Sequence, residues 1–241
     1  MSRDNENLTF RYKFSFENGL TKEFVVTLDG KTLHILSNPL ATPPAEWTLL
    51  HFNKCPNCPL DEKKHSQCPI AANLVDVVNF FKDLVSYEKT YMMIESGNRN
   101  FIGKVSLQEG IKSLVGVYMV TSGCPVMDHL RPMLRVHLPF PNMEESVYRL
   151  ISMYLLAQYF LYKEGKRPDW EMRKLLALCN EIQTVNRSFF KRLRGLKVKD
   201  ASLNALVALD SIAAYTASFL EDNNLEDMKS LFRVYLDRRA E

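Results

Sequence analysis

The chain of 241 residues is long enough to bury a sizeable core, and its 46% hydrophobic and 24% charged residues are ordinary for a globular protein. Its formal net charge of +3 is too small to indicate a nucleic-acid or membrane partner. The longest apolar stretches, such as 150–162, fall short of the roughly 20 residues that a membrane-spanning helix needs. The first residues, MSRDNENLTFRYKF, do not resemble a secretory leader. We therefore expect a cytoplasmic protein whose thiols are kept reduced.

Residues 8–36 alternate between apolar and polar side chains, as strands do. Aromatic side chains of one parity run through 10–16, and Asn-Gly at 18–19 and Asp-Gly at 29–30 are typical hairpin turns. A third apolar run begins at 33–35. The pattern predicts a three-stranded antiparallel meander.

The next segment, residues 37–69, contains six prolines and three cysteines with little periodicity. Structureless loops of this length are uncommon inside compact domains. We therefore expect that something other than regular backbone hydrogen bonding orders this segment.

From residue 70 onward the spacing of apolar residues becomes helical. A short β-hairpin is predicted near 89–105, around a turn at 96–98. Further helices are predicted at 106–121, 125–134, 143–164, 169–193, 202–220 and 224–238.

These elements predict an α+β fold that is mostly helical. We expect a small N-terminal antiparallel sheet at 1–36, a Cys-rich metal-binding junction at 37–69, and a C-terminal helical body at 70–241 that includes the short hairpin. The three parts are expected to form one compact unit.

Four of the five cysteines directly precede a proline: Cys55, Cys58, Cys68 and Cys124. The C-x2-C spacing of the first two allows both sulfurs to bind one ion. Proline disfavours the helical conformation for the residue before it, so the ligand-bearing backbone is partly organised in advance. The repetition predicts one metal site with these four cysteines as ligands.

The identity of the metal stays open at this stage. Zinc takes four such ligands and commonly holds irregular segments together, whereas a [4Fe–4S] cluster also takes four cysteines. We favour zinc. His65 could replace Cys124 as the fourth ligand beside Cys55, Cys58 and Cys68, but we favour Cys124 because it shares the Cys-Pro signature. A further alternative is that the thiols are unliganded and lie in tight turns.

The sequence also places Cys68 and Cys124 at predicted helix starts, where the helix dipole would lower the pKa of a thiol. A third hypothesis makes Cys124 a nucleophile with Asp128 or His129 as base, although residues five apart share a helix face poorly. The sequence contains no phosphate-binding loop, nucleophile elbow, zinc-protease motif or dinucleotide fingerprint. An enzymatic function is therefore disfavoured.

Other candidate residues have simpler structural explanations. Cys179 lies on an apolar helix face and should be buried. Residues 187–199 hold six basic residues and two phenylalanines; we expect a solvated helix end rather than a nucleic-acid contact. Helix capping and ion pairing explain Arg131, Arg135 and His137 better than an anion site does. Helical spacing predicts core packing for one further set: Tyr148, Met153, Tyr154, Tyr159 and Phe160.

The strings CPNCPL, CPIAANL, SGCPVMDHLRPM and SMYLLAQYF resemble an uncharacterised bacterial family, a domain of unknown function. The resemblance covers nearly the whole chain and implies a bacterial cytoplasmic protein in which the four Cys-Pro positions belong together. It implies no activity for any residue.

The sequence thus favours a non-enzymatic, zinc-stabilised binding or regulatory module with a protein partner. The alternative is an iron–sulfur redox or metal-sensing protein. A thiol-dependent enzyme centred on Cys124 comes third. Neither a membrane nor a nucleic acid is expected as a partner.

Overall fold

The computed structural model describes residues 7–36, 44–196, 198–222 and 225–237. The start of the Cys/Pro-rich segment and both ends of the last predicted helix lie outside these ranges. Over the described residues the fold is α+β and mostly helical, as the sequence predicts.

The sheet has four strands: β1 (Leu8–Phe16), β2 (Thr21–Leu28), β3 (Lys89–Ser96) and β4 (Arg99–Ser106). Their order is β2-β1-β3-β4, and every neighbouring pair is antiparallel. The hairpins predicted around residues 18–19 and 96–98 are present. The second hairpin is not separate, because β3 pairs with the free edge of β1 and joins the two hairpins into one sheet.

The prediction of a third strand in the N-terminal meander is wrong. Ile35 makes only an isolated bridge to Leu28. The Asp29 carboxylate accepts hydrogen bonds from the backbone N–H groups of Lys31 and Thr32, and this closes a tight turn. Leu33 then takes a positive φ of 58°, which interrupts the extended conformation that a strand requires.

Eight helices lie within the described residues: α1 (Pro69–Asn73), α2 (Val75–Phe81), α3 (Leu107–Thr121), α4 (Met143–Lys163), α5 (Arg173–Arg194), α6 (Asp200–Glu221), α7 (Leu225–Lys229) and α8 (Arg233–Leu236). The four long helices match their predicted ranges within a few residues. The helix predicted at 125–134 is instead a 3₁₀ segment, Met127–Val136, which contains Pro132. The predicted last helix is broken into α7 and α8.

One face of the sheet forms the main core, with Phe10, Tyr12 and Phe14 fully buried. This face packs against α2 and α3. At Gly110 in α3 a Cβ atom would lie 3.0 Å from a ring carbon of Phe14 and 3.1 Å from the sulfur of Met92. Glycine therefore permits the close approach of α3 to the sheet.

Helix α6 is long and apolar enough, by length and composition alone, to cross a membrane. Core helices of soluble proteins meet the same test, and α6 packs against α3 and α5. The finding leaves the cellular location undecided.

Candidate metal centre

The chain around the first three cysteines forms a loop that is closed at its base by backbone pairing. The N–H of Cys68 donates to the carbonyl of Thr48 at 2.8 Å, and that of Leu50 donates to Ser66 at 3.0 Å. Leu49 and Gln67 form an antiparallel bridge between them. Part of the order in this segment therefore comes from ordinary hydrogen bonds, which its irregular sequence did not reveal.

Cys55 and Cys58 lie in a tight turn, in which the N–H of Cys58 donates to the carbonyl of Cys55 at 3.0 Å. The side-chain amide of Asn57 donates to the carbonyl of Glu181 at 3.1 Å, which docks this turn on α5. The C-x2-C turn is thus held against the helical body.

The other two cysteines come from different parts of the chain. Cys68 directly precedes α1 in an extended conformation (φ −69°, ψ 122°), as a residue before proline should be. Cys124 follows α3, after Gly123 with φ 87°. Its carbonyl accepts from the N–H of Asp128 at 2.9 Å.

Charge interactions link the predicted cysteines to one another. Burial raises the pKa of Cys55, and negative charge on Cys68 and Cys58 would raise it further. Burial also raises the pKa of Cys124, to about 11, and negative charge on Cys68 and Cys55 would add to the effect. Cys124 therefore interacts electrostatically with Cys55 and Cys68, and Cys55 with Cys58.

The cysteine sulfurs do not have the geometry of a metal coordination site. Across the described ranges, no group of three or more His, Cys, Asp or Glu side chains has the arrangement that holds a metal ion. Cys68 and Cys124 are buried, whereas Cys55 and Cys58 are partly exposed. Sulfur is nevertheless the donor type that soft or borderline metals prefer, so the chemistry of the four side chains is compatible with such a metal.

His65, the alternative fourth ligand, lies in a turn whose N–H groups donate to Asp61. Its side chain is exposed. Among the described residues, no contact joins it to a cysteine. The choice between Cys124 and His65 as fourth ligand stays a prediction.

Arg192 is the residue of this site that the sequence did not reveal. It is only 2% exposed, although it belongs to the basic stretch that we expected to be solvated. Its guanidinium donates to the carbonyls of Trp47 at 2.6 Å, Leu49 at 2.7 Å and Leu50 at 3.5 Å. It also lies over the ring of Phe52, 5.8 Å from the centroid. One side chain of α5 therefore clamps the segment that leads to the cysteines.

The charge of Arg192 lacks a carboxylate partner among the described residues. Burial lowers its pKa, and the thiolates of Cys68, Cys55 and Cys58 oppose that shift. One turn earlier on α5, the hydroxyl of Ser188 donates to the sulfur of Cys55 and lowers its pKa. This face of α5 therefore provides a cation and a hydrogen-bond donor, and both favour negative charge on the sulfurs.

A sequence signal for this buried arginine exists. Val185, Phe189 and Arg192 recur at a spacing of three to four residues, and all three are buried. Arg192 thus continues an apolar helix face. From the sequence we expected it at the solvated surface because it is charged.

The prediction of a lowered pKa at Cys124 is wrong, because burial raises it. Burial outweighs the hydrogen bonds that the backbone N–H groups of Met127 and Val126 donate to its sulfur. An irregular turn and a 3₁₀ segment follow Cys124, so no long α-helix lends its dipole. His129 contacts the carbonyl of Val126 at 3.1 Å, and Asp128 pairs with Arg131 at 3.4 Å. The proposed nucleophile is therefore not activated.

Several predictions for single residues can be compared with the structure. Cys179 is fully buried, as predicted. Arg131 contacts His34, His137 contacts Tyr12, and Arg135 reaches the carbonyl of Gly30. Each of these three residues therefore has a protein partner, as the structural explanation expects.

The predicted core packing of the α4 aromatics holds only in part. Tyr154 is buried and Met153 packs against the smaller core. Tyr148, Tyr159 and Phe160 are exposed by 45%, 47% and 56%, so the prediction is wrong for these three.

Comparison with known proteins gives one match. No curated protein and no solved structure matches the chain. The model of the family described as a domain of unknown function (DUF6901) matches residues 10–233, a region that includes all of the sheet except the first two residues of β1, all five cysteines and the long helices. The chain therefore belongs to the DUF6901 family.

Proposed function

We propose that this protein is a non-enzymatic binding or regulatory module stabilised by zinc, with Cys55, Cys58, Cys68 and Cys124 as the ligands. One observation carries the proposal. The buried guanidinium of Arg192 has no carboxylate partner in the described part of the chain, and it lies beside three of the four thiols.

A buried cation is costly unless an opposite charge compensates it. Protonated thiols provide no such charge, whereas a metal centre with four thiolates is negative overall. Arg192 would then balance the centre, and the Ser188 hydroxyl would donate to one of its sulfurs. Both residues belong to α5, so the metal would tie the N-terminal segments to the helical body.

A zinc ion with four protein ligands keeps no open position for a substrate, which argues for a structural role. The surface of α4 offers a place for a protein partner. Tyr159, Phe160 and Tyr162 are exposed there, and the first two rings lie 5.8 Å apart. We also propose a cytoplasmic location, because thiolate ligands need reducing conditions and all five cysteines are free.

Chelation tests the stabilising role. Removing the metal should lower the thermal unfolding midpoint of the wild-type protein, and added zinc should restore it. Cys124→Ser should abolish this response. Cys179→Ser, a substitution of the buried cysteine outside the set, and His65→Ala should both retain it.

The result would go against the proposal if chelation left the midpoint of the wild type unchanged. An iron–sulfur cluster on the same four cysteines would instead give an anaerobically purified protein a brown colour that reductant bleaches. Rapid stoichiometric alkylation of Cys124 in the metal-loaded protein would point to the thiol enzyme.

A further inference from the structure

A cavity of about 160 Å³ lies between α3, α4, α5, α6 and the 3₁₀ segment Met127–Val136. Its walls are mainly apolar and include Gly116, Val117, Leu130, Leu150, Ile182 and Leu209. No cysteine lines it, so it is distinct from the candidate metal centre. The exposed aromatic residues of α4, Tyr148, Tyr159 and Phe160, do not line it either.

Most polar residues at the cavity already have partners. Lys112 pairs with Glu109 at 2.6 Å, and the hydroxyl of Ser146 donates to the carbonyl of Asn142 at 2.8 Å. The hydroxyl of Tyr12 joins the other two groups, His137 Nε2 at 2.6 Å and Ser113 Oγ at 3.1 Å. These groups leave little hydrogen-bonding capacity for a ligand.

Arg149 on α4, unlike these groups, keeps an unpaired hydrogen-bond donor. Its Nε is buried and makes no hydrogen bond, and its Nη2 reaches only the carbonyl of Met133, at 3.3 Å. No carboxylate in the described ranges lies within ion-pairing distance of it. Glu145, one turn earlier, accepts a hydrogen bond from the N–H of Asn142 at 2.8 Å, and its charge favours the protonated form of Arg149. The cavity wall therefore includes a cation with one buried, unpaired donor.

Asn186 on α5 supplies an unpaired hydrogen-bond acceptor. Its side chain is 2% exposed, and its Oδ1 is buried without a hydrogen-bond partner. An orphaned buried acceptor typically costs about 1–3 kcal/mol. A ligand that donates a hydrogen bond here would recover that cost.

We propose that this cavity binds a small apolar carboxylic acid that also carries a hydrogen-bond donor, such as a hydroxylated aromatic acid. The carboxylate accepts from Arg149, the donor reaches Oδ1 of Asn186, and the apolar walls cover the ring. The site does not depend on the proposed zinc centre.

Size and charge both favour this class of ligand. A cavity of about 150 Å³ is known to hold benzene, so a single substituted ring is the appropriate scale. Few polar groups in an apolar pocket are typical of sites that orient a ligand specifically. Burial lowers the pKa of His137 to about 3, so His137 is neutral and Arg149 is the cation that an acid would meet. The nearest other cation, Lys112, already has Glu109.

Titration calorimetry on the full chain tests the proposal with benzoate, its three monohydroxy isomers and benzyl alcohol. Benzoate should bind, at least one hydroxybenzoate should bind more tightly, and benzyl alcohol should bind far more weakly. Arg149→Met should weaken every acid by about tenfold or more. The exposed Arg173, changed to Met, serves as the matched control and should leave the affinities unchanged.

A second variant separates the two polar contacts. Asn186→Leu should abolish the advantage of the hydroxybenzoate over benzoate while benzoate itself still binds. Ala213→Leu, which fills the cavity from α6, should block all the acids. Each variant is first checked for a wild-type circular dichroism spectrum and cooperative unfolding.

Three results would overturn the proposal: no binding of any acid at millimolar concentrations, equal binding of benzyl alcohol and benzoate, or an unchanged affinity in a folded Arg149→Met protein. A folded Arg149→Lys variant gives a further test, because it keeps the charge. It should bind the acids more tightly than Arg149→Met does.

Discussion

The guanidinium of Arg192 in α5 donates a 2.6 Å hydrogen bond to the backbone carbonyl of Trp47, 145 residues earlier in the chain. Both residues are buried. The same guanidinium lies beside three thiols of the candidate metal centre. One side chain thus links the order of the cysteine loop to the C-terminal helices.

Replacing Arg192 with Met should lower the free energy of unfolding by about 3 kcal/mol, because two short charged hydrogen bonds to buried carbonyls are lost. The proposed zinc should also dissociate more readily. The control is Arg194→Met, because Arg194 lies on the same helix but is exposed. It should change stability by less than about 0.5 kcal/mol. Denaturant unfolding and zinc competition measure both effects, and equal behaviour of the two variants would contradict the role assigned to Arg192.

The sequence predicted the elements of the fold better than their assembly. Alternation in β1 and β2 and helical spacing in the four long helices are local signals, and they marked those elements correctly. The pairing of β1 with β3 is a long-range contact between two hairpins, which no local pattern encodes. The third strand failed because the turn chemistry of Asp29 and the positive φ at Leu33 outweighed the apolar residues that follow.

The cysteines of the candidate site were selected from their shared Cys-Pro signature, and charge interactions link Cys55 to Cys58 and Cys68, and Cys124 to Cys55 and Cys68. Arg192 could not be predicted, because a charge in a basic stretch normally indicates a solvated surface. The apolar cavity also escaped prediction, since its walls come from five separate segments of the chain.

Two glycines of α3 should respond in opposite ways to the same change. Gly116→Ala should stabilise the protein by about 0.5–1 kcal/mol, because the new Cβ meets Leu209 at an ordinary 3.7 Å and alanine favours the helix. Gly110→Ala should lack this gain or destabilise, because its Cβ would lie 3.0 Å from Phe14. Thermal unfolding of both variants checks the difference. Greater stabilisation by Gly110→Ala would show that α3 does not approach the sheet this closely.

The attachment of α4 to the start of α5 should depend on one tyrosine hydroxyl. Tyr154 donates to the carboxylate of Asp169 at 2.6 Å, and the same carboxylate accepts from the backbone N–H of Lys174 at 2.7 Å. Tyr154→Phe should therefore cost about 1–2 kcal/mol of unfolding free energy. Tyr162→Phe, on the same helix but 60% exposed, should cost almost nothing. The expectation fails if chemical denaturation gives equal values for the two variants.

His137 should make stability depend on pH. It lies against Tyr12 and Phe10, and burial first, then the charge of Arg149, lowers its pKa from 6.5 to about 3. The unfolded chain takes up the proton near pH 6.5 and the folded chain only near pH 3, so stability falls as pH drops through this window. Between pH 7 and pH 5 the resulting loss of unfolding free energy is about 2 kcal/mol.

His137→Gln should reduce the loss of unfolding free energy between these two pH values. His51→Gln, at an exposed histidine, should leave it unchanged. A wild-type pH dependence in the His137→Gln protein would mean that His137 already titrates freely in the folded state.

Elemental analysis of protein purified without added metal or chelator tests the zinc centre most directly. We expect about one zinc per chain and no iron. Replacing any of Cys55, Cys58, Cys68 or Cys124 with Ser should reduce the zinc content, whereas Cys179→Ser should not. A protein that contains no zinc, or that keeps its full zinc content after Cys124→Ser, would contradict the four-cysteine site.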